Sequence, residues 1–275
     1  MDYTVLLFSG IISGILASLF GFGGGLTVVP ALIICLPMFH IQSGLTMHIA
    51  IGTSFAIMLS ANLNAVRHHH KSKNLDLSIL IRFAPFIVIG TIIGSLSVSK
   101  LKSFELLSIY VVFVVFVITK YIIKLRKNHY QIKNNEVHEF SIPHFKITAP
   151  YGFLTGMISA CIGGGSSLMI VPFLKHRHLS MKNSVAVTTA LNVIIATTGL
   201  LSSIFTGIEA GHLPEYSLGF IYIPAFIFLL IGSFIGVPIG TLLVNKLKES
   251  ILMYGYLTVL IIIFCIVFTK LLLLY

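Results

Sequence analysis

The sequence predicts an all-α polytopic membrane protein with about eight hydrophobic segments. Of its 275 residues, 56% are hydrophobic and only 9% are charged, and the mean hydropathy is +1.01. That is more apolar side chain than the core of one soluble domain can bury. Most of the apolar stretches reach the ~20 residues that a helix needs to cross a bilayer. Because lipid offers no partner for unpaired backbone groups, helices are favoured over spanning strands.

Short polar loops separate the eight segments. The N-terminal residues 1–4 lack the basic region of a secretory signal, so we expect the first segment to be retained. With no Trp in the chain, an interfacial aromatic belt must come from tyrosines near segment ends, among them Tyr3, Tyr110 and Tyr222. In chain order the segments cover residues 5–36, 45–66, 77–98, 104–123, 147–174, 184–205, 218–244 and 251–274.

The first and fifth segments each contain a glycine run that predicts a broken helix. A glycine inside a helix costs ~1 kcal/mol relative to alanine, and a run of them frees N–H groups that lipid cannot satisfy. The alternative, close helix packing by small residues, does not need consecutive glycines. Pro30 and Pro172 follow the runs, where they extend the break or begin the returning helix. The glycines are Gly21, Gly23, Gly24, Gly25, Gly163, Gly164 and Gly165.

The second and sixth segments supply the polar side chains of the membrane interior. Both contain an Ala-x-x-Thr spacing, at Ala50 and at Ala186. Neutral donors suit a small oxyanion that must bind and then leave, whereas the alternative for each side chain is hydrogen bonding between helices. Ser166 and Ser167 add hydroxyls to the second break, where they either bind substrate or satisfy loose backbone. The candidates in the two segments are Thr53, Ser54, Asn62, Thr189 and Asn192.

The third and seventh segments complete an internal repeat. Gly90 and Gly94 in the third segment correspond to Gly236 and Gly240 in the seventh. A Lys-Leu pair follows at the same distance in both segments. Three landmarks in the same order indicate a duplication. The sequence therefore predicts a first transmembrane repeat over residues 1–123, a polar cytoplasmic linker over 124–145 and a second repeat over 146–275.

The distribution of basic residues favours inverted repeats. If all eight segments crossed once, the two faces would carry 10 and 7 Lys and Arg residues, leaving out Arg82 inside the membrane. If each glycine-broken segment is a hairpin that returns to its own side, the split becomes 14 to 3. Basic loops lie on the cytoplasmic side. The hairpin reading therefore predicts an odd number of crossings in each half and inverted halves, an arrangement found in transporters.

The charged residues limit the chemistry of the interior. All eight Asp and Glu residues lie in loops or at segment ends. No carboxylate is therefore available inside the membrane for a proton relay or a cation site. This favours an anionic substrate, with backbone N–H groups at Gly23–Gly25 and Gly163–Gly165 as ligands. His48 is the titratable candidate if transport is coupled to protons. The net charge of +10 sits in short loops, which argues against nucleic acid binding.

No cofactor or metal is expected. Cys35, Cys161 and Cys265 lack ligand spacing, and the histidines at 68–70 lie in a basic loop without fixed geometry. Nucleotide-binding, H-E-x-x-H and G-x-S-x-G patterns are absent from the sequence.

The chain resembles the TauE/SafE sulfite-exporter family, also called the 4-toluene sulfonate uptake permease family. The matching features are Gly21 to Gly25 with Val29-Pro30, Ile162 to Gly165 with Val171-Pro172, and Ala50 to Ser54, and the resemblance covers essentially the whole chain. It implies a multi-pass inner-membrane transporter for sulfur-containing anions such as sulfite or sulfonates. The expected function is a secondary transporter of a small anion in the lipid bilayer. The alternatives are a non-transporting membrane partner and an intramembrane enzyme.

Overall fold

The described residues of the computed structural model are 3–20, 25–39, 41, 44–71, 75–128, 144–210, 213–247 and 249–273, and they are helical almost throughout. The first half contains α1 (Tyr3–Phe20), α2 (Gly25–Cys35) with a short 3-10 turn (Leu36–Phe39), α3 (Thr46–Lys71), α4 (Leu77–Val98) and α5 (Ser103–Asn128). The second half contains α6 (Phe145–Ile162), α7 (Ser167–His176), α8 (Met181–Ala210), strands β1 (Ser217–Leu218) and β2 (Ile221–Tyr222), α9 (Ile223–Lys246) and α10 (Glu249–Leu273).

The prediction of an all-α polytopic membrane protein is confirmed. Seven helices of the described chain are long and apolar enough to cross a membrane, namely α1, α3, α4, α5, α8, α9 and α10. The first and fifth predicted segments are each two helices, separated at the glycine runs. The first run leaves Gly21, Gly23 and Gly24 outside the described residues, whereas Gly25 begins α2.

The short helices α2 and α7 fold back along the helices that precede them. Ser9 Oγ of α1 lies 3.6 Å from Cys35 Sγ at the end of α2, and the rings of Tyr3 and Phe39 are 5.5 Å apart. In the second half, the Tyr151 ring of α6 stacks on Phe173 of α7 at 4.3 Å. Each pair joins residues on opposite sides of a break. The chain therefore makes a helical hairpin at both glycine runs.

The prolines after the breaks belong to the returning helices. Pro30 lies within α2 and Pro172 within α7, in each case as the sixth residue of the helix. A proline at the sixth position removes the N–H that would bond to the carbonyl oxygen of the second residue, so each returning helix lacks one internal hydrogen bond. Helix α5 continues to Asn128, inside the stretch predicted as a linker, and α6 begins at Phe145, while residues 129–143 lie outside the described residues.

Two close helix crossings join the halves, α4 with α6 and α1 with α9. A Cβ on Gly94 of α4 would lie 2.8 Å from the Met157 carbonyl oxygen of α6, and one on Gly240 of α9 would lie 2.6 Å from the Ile15 oxygen of α1. Gly94 and Gly240 are the matched glycines of the third and seventh segments. Such backbone contact is how small residues bring membrane helices together.

Helices α3 and α8 form the centre of the molecule. They pack against each other, and 65% and 61% of their spanning windows are buried, against 17–39% for the other five spanning helices. Central helices lose contact with lipid on most faces, which is where polar side chains are tolerated in a membrane. The fold thus places the polar second and sixth segments inside the bundle.

The aromatic belt predicted from tyrosines near segment ends is wrong for Tyr110. This side chain is fully buried in the bundle, and its hydroxyl donates to the Leu26 carbonyl oxygen of α2 at 2.8 Å. A buried phenol needs such a partner. Tyr110 therefore anchors the returning helix α2 to α5 instead of marking an interface with lipid headgroups.

Candidate substrate site

The two glycine breaks touch each other at the centre of the molecule. Gly25, the first residue of α2, lies against the second break, where a Cβ on Gly25 would overlap the Gly163 carbonyl oxygen and lie 2.9 Å from Gly164 Cα. Only glycine permits this approach. The first residue of α2 and the residues leading into α7 consequently share one junction, which brings the positive ends of two helix dipoles together.

The second break has a backbone that glycine alone adopts readily. The φ angles of Gly163, Gly164 and Gly165 are +74°, +129° and +92°. Helix α6 ends because the N–H groups of Gly163 and Gly164 both donate to the Ser159 carbonyl oxygen. The predicted backbone ligands at these two glycines are thus engaged in closing α6.

The start of α7 differs from the end of α6, because its first N–H groups have no acceptor among the described residues. Among the described residues, the N–H groups of Gly165, Ser166 and Ser167 have no hydrogen-bond acceptor. Gly165 and Ser166 are buried. An unpaired buried N–H costs free energy comparable to a lost hydrogen bond. This turn is therefore complementary to an acceptor, and the helix dipole favours a negatively charged one.

Asn192 of α8 connects the two serines of the break. Its Oδ1 accepts a short hydrogen bond from Ser166 Oγ, and its Nδ2 donates to Ser167 Oγ at 3.3 Å. Asn192 is 2% exposed and Ser166 is 1% exposed. These three candidates of the sequence analysis are in contact with one another. The amide orients both hydroxyls toward the start of α7.

Ser54 of α3 holds the second break from the other half of the chain. Its hydroxyl lies 2.8 Å from the Gly163 carbonyl oxygen and 2.7 Å from the Ile51 oxygen of its own helix. Val29 of α2 packs against the same glycine. The first half therefore supplies part of the frame around the break of the second half.

Three predicted site residues lie apart from this cluster. Thr53 accepts a hydrogen bond at 3.1 Å from the N–H of Tyr222, beside the β-turn before α9. The Thr189 hydroxyl donates to Val185 O of its own helix at 2.8 Å. Asn62 donates to Met58 O at 2.7 Å, one turn from the Met58 sulfur that faces Gly164. These three hydrogen bonds are of the kind that hold helices and loops in place.

Two residues near the break were not among the sequence candidates. The Ser159 carbonyl closes α6, and the Ser159 hydroxyl is buried without a partner in the described part of the chain. Met58 packs its sulfur against Gly164. Ser159 stands four residues before the glycine run, which is the spacing of a helix-closing carbonyl, so the sequence contained a signal for it. No pattern singles out Met58.

Formal charge is absent from the described site. The buried polar side chains of the described residues are serines, threonines, two asparagines and one histidine, His48. No group of metal-ligating side chains occurs among those residues. The site therefore offers dipoles and hydrogen-bond donors rather than a fixed countercharge, which suits an anion that must be released again.

The comparisons with known proteins extend over the whole chain. The family described as sulfite exporter TauE/SafE matches residues 6–267. A probable membrane transporter protein of Haemophilus influenzae is 31% identical over 264 residues, covering 96% of this chain and 97% of the relative. One from Methanocaldococcus jannaschii is 27% identical and covers 90% and 88%, and YunE of Bacillus subtilis is 26% identical and covers 96% and 97%. No solved structure matches the chain.

Proposed function

We propose an anion-transport function for this chain, which belongs to the sulfite exporter TauE/SafE family. Family membership and the seven spanning helices make it a multi-pass membrane transporter. The proposed substrate is a small oxyanion, sulfite or an organosulfonate. The proposed ligands are the N–H groups at the start of α7 and the hydroxyl of Ser167, which accepts from Asn192 and keeps its own proton for the anion. The Ser166 hydroxyl donates its one proton to Asn192 Oδ1 and holds that amide in place.

One observation carries the proposal. The N–H groups of Gly165, Ser166 and Ser167 lack an acceptor among the described residues, at a junction where two helix N-termini meet. An oxyanion offers several acceptor atoms and a negative charge, both of which this turn favours. Half-helix N-termini at a central break are the arrangement that transporters use for anionic groups.

Inverted repeats are the proposed scaffold of this site. The contacts of the close crossings support them, because a Cβ on Gly90 would overlap the Phe153 carbonyl oxygen and one on Gly236 would overlap the Ile11 oxygen. These are equivalent residues of the two halves when the glycine motifs are aligned. Exchanging the halves reproduces the contacts, as repeats related by a two-fold axis do, and the inverted orientation rests on the hairpin topology.

The convergence of three loops supports the hairpin topology. Gly44 before α3, Lys102 between α4 and α5, and Phe220 after α8 line one cavity. Eight simple crossings would put the loop after α8 on the membrane face opposite the other two loops. With hairpins at both breaks, the three loops share the extracytoplasmic face.

The membrane potential is the proposed energy source. An inside-negative potential drives a monoanion outward with about 2.3 kcal/mol per charge per 100 mV. Export therefore needs neither a nucleotide site nor an interior carboxylate, and the buried polar side chains of the described residues include no carboxylate.

Flux of labelled sulfite from proteoliposomes tests the proposal. The full chain should move sulfite, and the double variant Ser166→Ala/Ser167→Ala should be at least tenfold slower, about 1.4 kcal/mol. The control is Ser97→Ala/Ser108→Ala, since both hydroxyls bond only to carbonyls of their own helices. Wild-type flux in the serine double variant would remove this site. A folded wild-type chain that moves no sulfite or sulfonate would favour the non-transporting partner or the intramembrane enzyme.

A further inference from the structure

A second site lies where the three loops converge, away from the glycine breaks. It is a cavity of about 410 Å³. Its wall contains Gly44 from the chain before α3, Lys102 from the α4–α5 loop and Ala210 from the end of α8. His48 of α3 and Phe220 of the β1–β2 turn also line it. The cavity is large enough for several water molecules or a small oxyanion with part of its hydration shell.

His48 and Ser103 are buried polar side chains of this cavity, and His48 is the titratable one. It is 5% exposed, its ring packs 5.1 Å from the Phe220 ring, and its Nε2 lies 3.1 Å from the Val98 carbonyl oxygen. Its Nδ1 is buried and has no partner among the described residues. A carbonyl oxygen only accepts hydrogen bonds, so Nε2 carries the hydrogen. In the neutral ring, Nδ1 is then an acceptor, and only the protonated ring can donate to an anion.

Lys102 gives the cavity its positive charge. It is the charged residue that lines the wall together with His48. Its backbone N–H is held at 2.8 Å by Glu105 Oε2, which fixes the loop at the start of α5. Glu105 therefore binds the Lys102 backbone, and the described residues show no ion pair between the two side chains. The other charged groups of the described elements around this end are Lys100, Glu209, Glu215 and Lys270, and none of these lines the cavity.

We propose that this cavity is an extracytoplasmic binding site for a small oxyanion, at which His48 takes up one proton as the anion binds. The inference rests on the transport function and adds to it a second anion position and a proton step. The Lys102 ammonium pairs with the anion, a solvent proton moves to Nδ1 of His48, and the protonated ring donates to the anion. When the anion leaves, Nδ1 returns the proton to water. An anion bound in this way stays near the extracytoplasmic end of the transport path. The positive charge on His48 is present only while the anion is bound.

Calorimetric titration of the purified full chain with sulfite tests the site. Titration at neutral pH in buffers of different ionisation enthalpy counts the protons bound with the anion. The wild-type chain should take up a proton with the anion bound at this site. His48→Gln keeps a donor for Val98 O but cannot be protonated, so its proton uptake should fall below the wild-type value. Lys102→Met should weaken sulfite binding about tenfold. Lys100→Met, in the same loop but outside the cavity wall, should bind as the wild type does.

The possible results of this titration distinguish failure of the second site from failure of the transport function. Equal proton uptake by the wild type and His48→Gln, or equal affinity of the Lys102→Met and Lys100→Met variants, overturns the inference. If proteoliposomes move sulfite but His48→Gln changes neither flux nor proton count, only this second site falls. If sulfite binds with His48-dependent proton uptake but is not moved, the transport function falls and the site stands. No sulfite binding by the wild type overturns the second site for this anion.

Discussion

Gly25 and Gly164 lie so close that neither could carry a methyl group in place. A Cβ on Gly25 would be 2.9 Å from Gly164 Cα, and a Cβ on Gly164 would be 3.2 Å from Gly25 Cα. The residues are 139 positions apart in the sequence and belong to different halves. Because the two breaks are in backbone contact, a movement of one half must displace the backbone of the other.

Gly25→Ala should destabilise the protein. The new methyl group must push apart backbone that has no flexible side chain to yield, and such overpacking costs about 1–3 kcal/mol. Thermal unfolding in detergent micelles measures the effect. Gly255→Ala is the matched control, because its Cβ would meet only Phe20 at an ordinary 3.6 Å. An unfolding midpoint for Gly25→Ala equal to that of the control would contradict the contact between the breaks.

Ser54→Ala should loosen the second break without unfolding the chain. It removes the hydroxyl from the Gly163 carbonyl oxygen, and a buried acceptor left without its donor costs about 1–3 kcal/mol. We expect slower sulfite flux together with a lower unfolding midpoint. Ser60→Ala in the same helix removes a hydroxyl bonded only to Ala56 O and should change little. If both variants behave alike, Ser54 does not hold the break.

Asn192→Asp should separate an electrostatic role from a packing role. The carboxylate keeps an acceptor for Ser166 and nearly the same shape, but it replaces the donor to Ser167 with negative charge. Like charge close to a bound anion disfavours binding, so flux should fall at least tenfold, about 1.4 kcal/mol. Thr197→Val, on an exposed face of α8 where the hydroxyl bonds to Val193 O, is the control. Wild-type flux in Asn192→Asp would place the anion elsewhere.

Cysteine labelling should find Lys100 and Tyr216 on one membrane face and Lys175 on the other. All three are exposed in the structure. The experiment replaces each in turn by cysteine, in a chain without Cys35, Cys161 and Cys265, and treats right-side-out and inside-out vesicles with an impermeant maleimide. With eight simple crossings, Lys100 would instead label from the same face as Lys175, and Tyr216 from the opposite face. That pattern would exclude the hairpins and the inverted repeats.

Much of the fold was predictable because its causes are local. The apolar composition predicts a membrane protein. A glycine run disfavours a continuous helix whatever its neighbours are, and the helices accordingly end at Ile162 and begin again at Ser167. The internal repeat stays a prediction that rests on the matching glycine spacing of the two halves. The burial of Tyr110 was not predictable, since its distance from a segment end says nothing about which face of α5 meets α2.

The candidate site was predictable in part. Gly165, Ser166, Ser167 and Asn192 come together around the start of α7, whereas Thr53 bonds to the turn before α9. Adjacent residues Thr53 and Ser54 face opposite partners because neighbouring positions on a helix are about 100° apart. A pattern of polar residues along a segment cannot say which of them meets the break.

The sequence alone determined that this is a helical membrane protein whose first and fifth segments are broken at glycine runs, and it predicts two related halves, since composition, glycine conformation and spacing are properties of the chain itself. Only the tertiary structure decided that the two glycine breaks are in contact and that His48 lines a separate cavity. It also decided that the N–H groups of Gly163 and Gly164 donate to the Ser159 carbonyl oxygen. Those outcomes depend on which helices become neighbours. Helix packing selects the neighbours through contacts between residues far apart in sequence, such as Gly25 with Gly164.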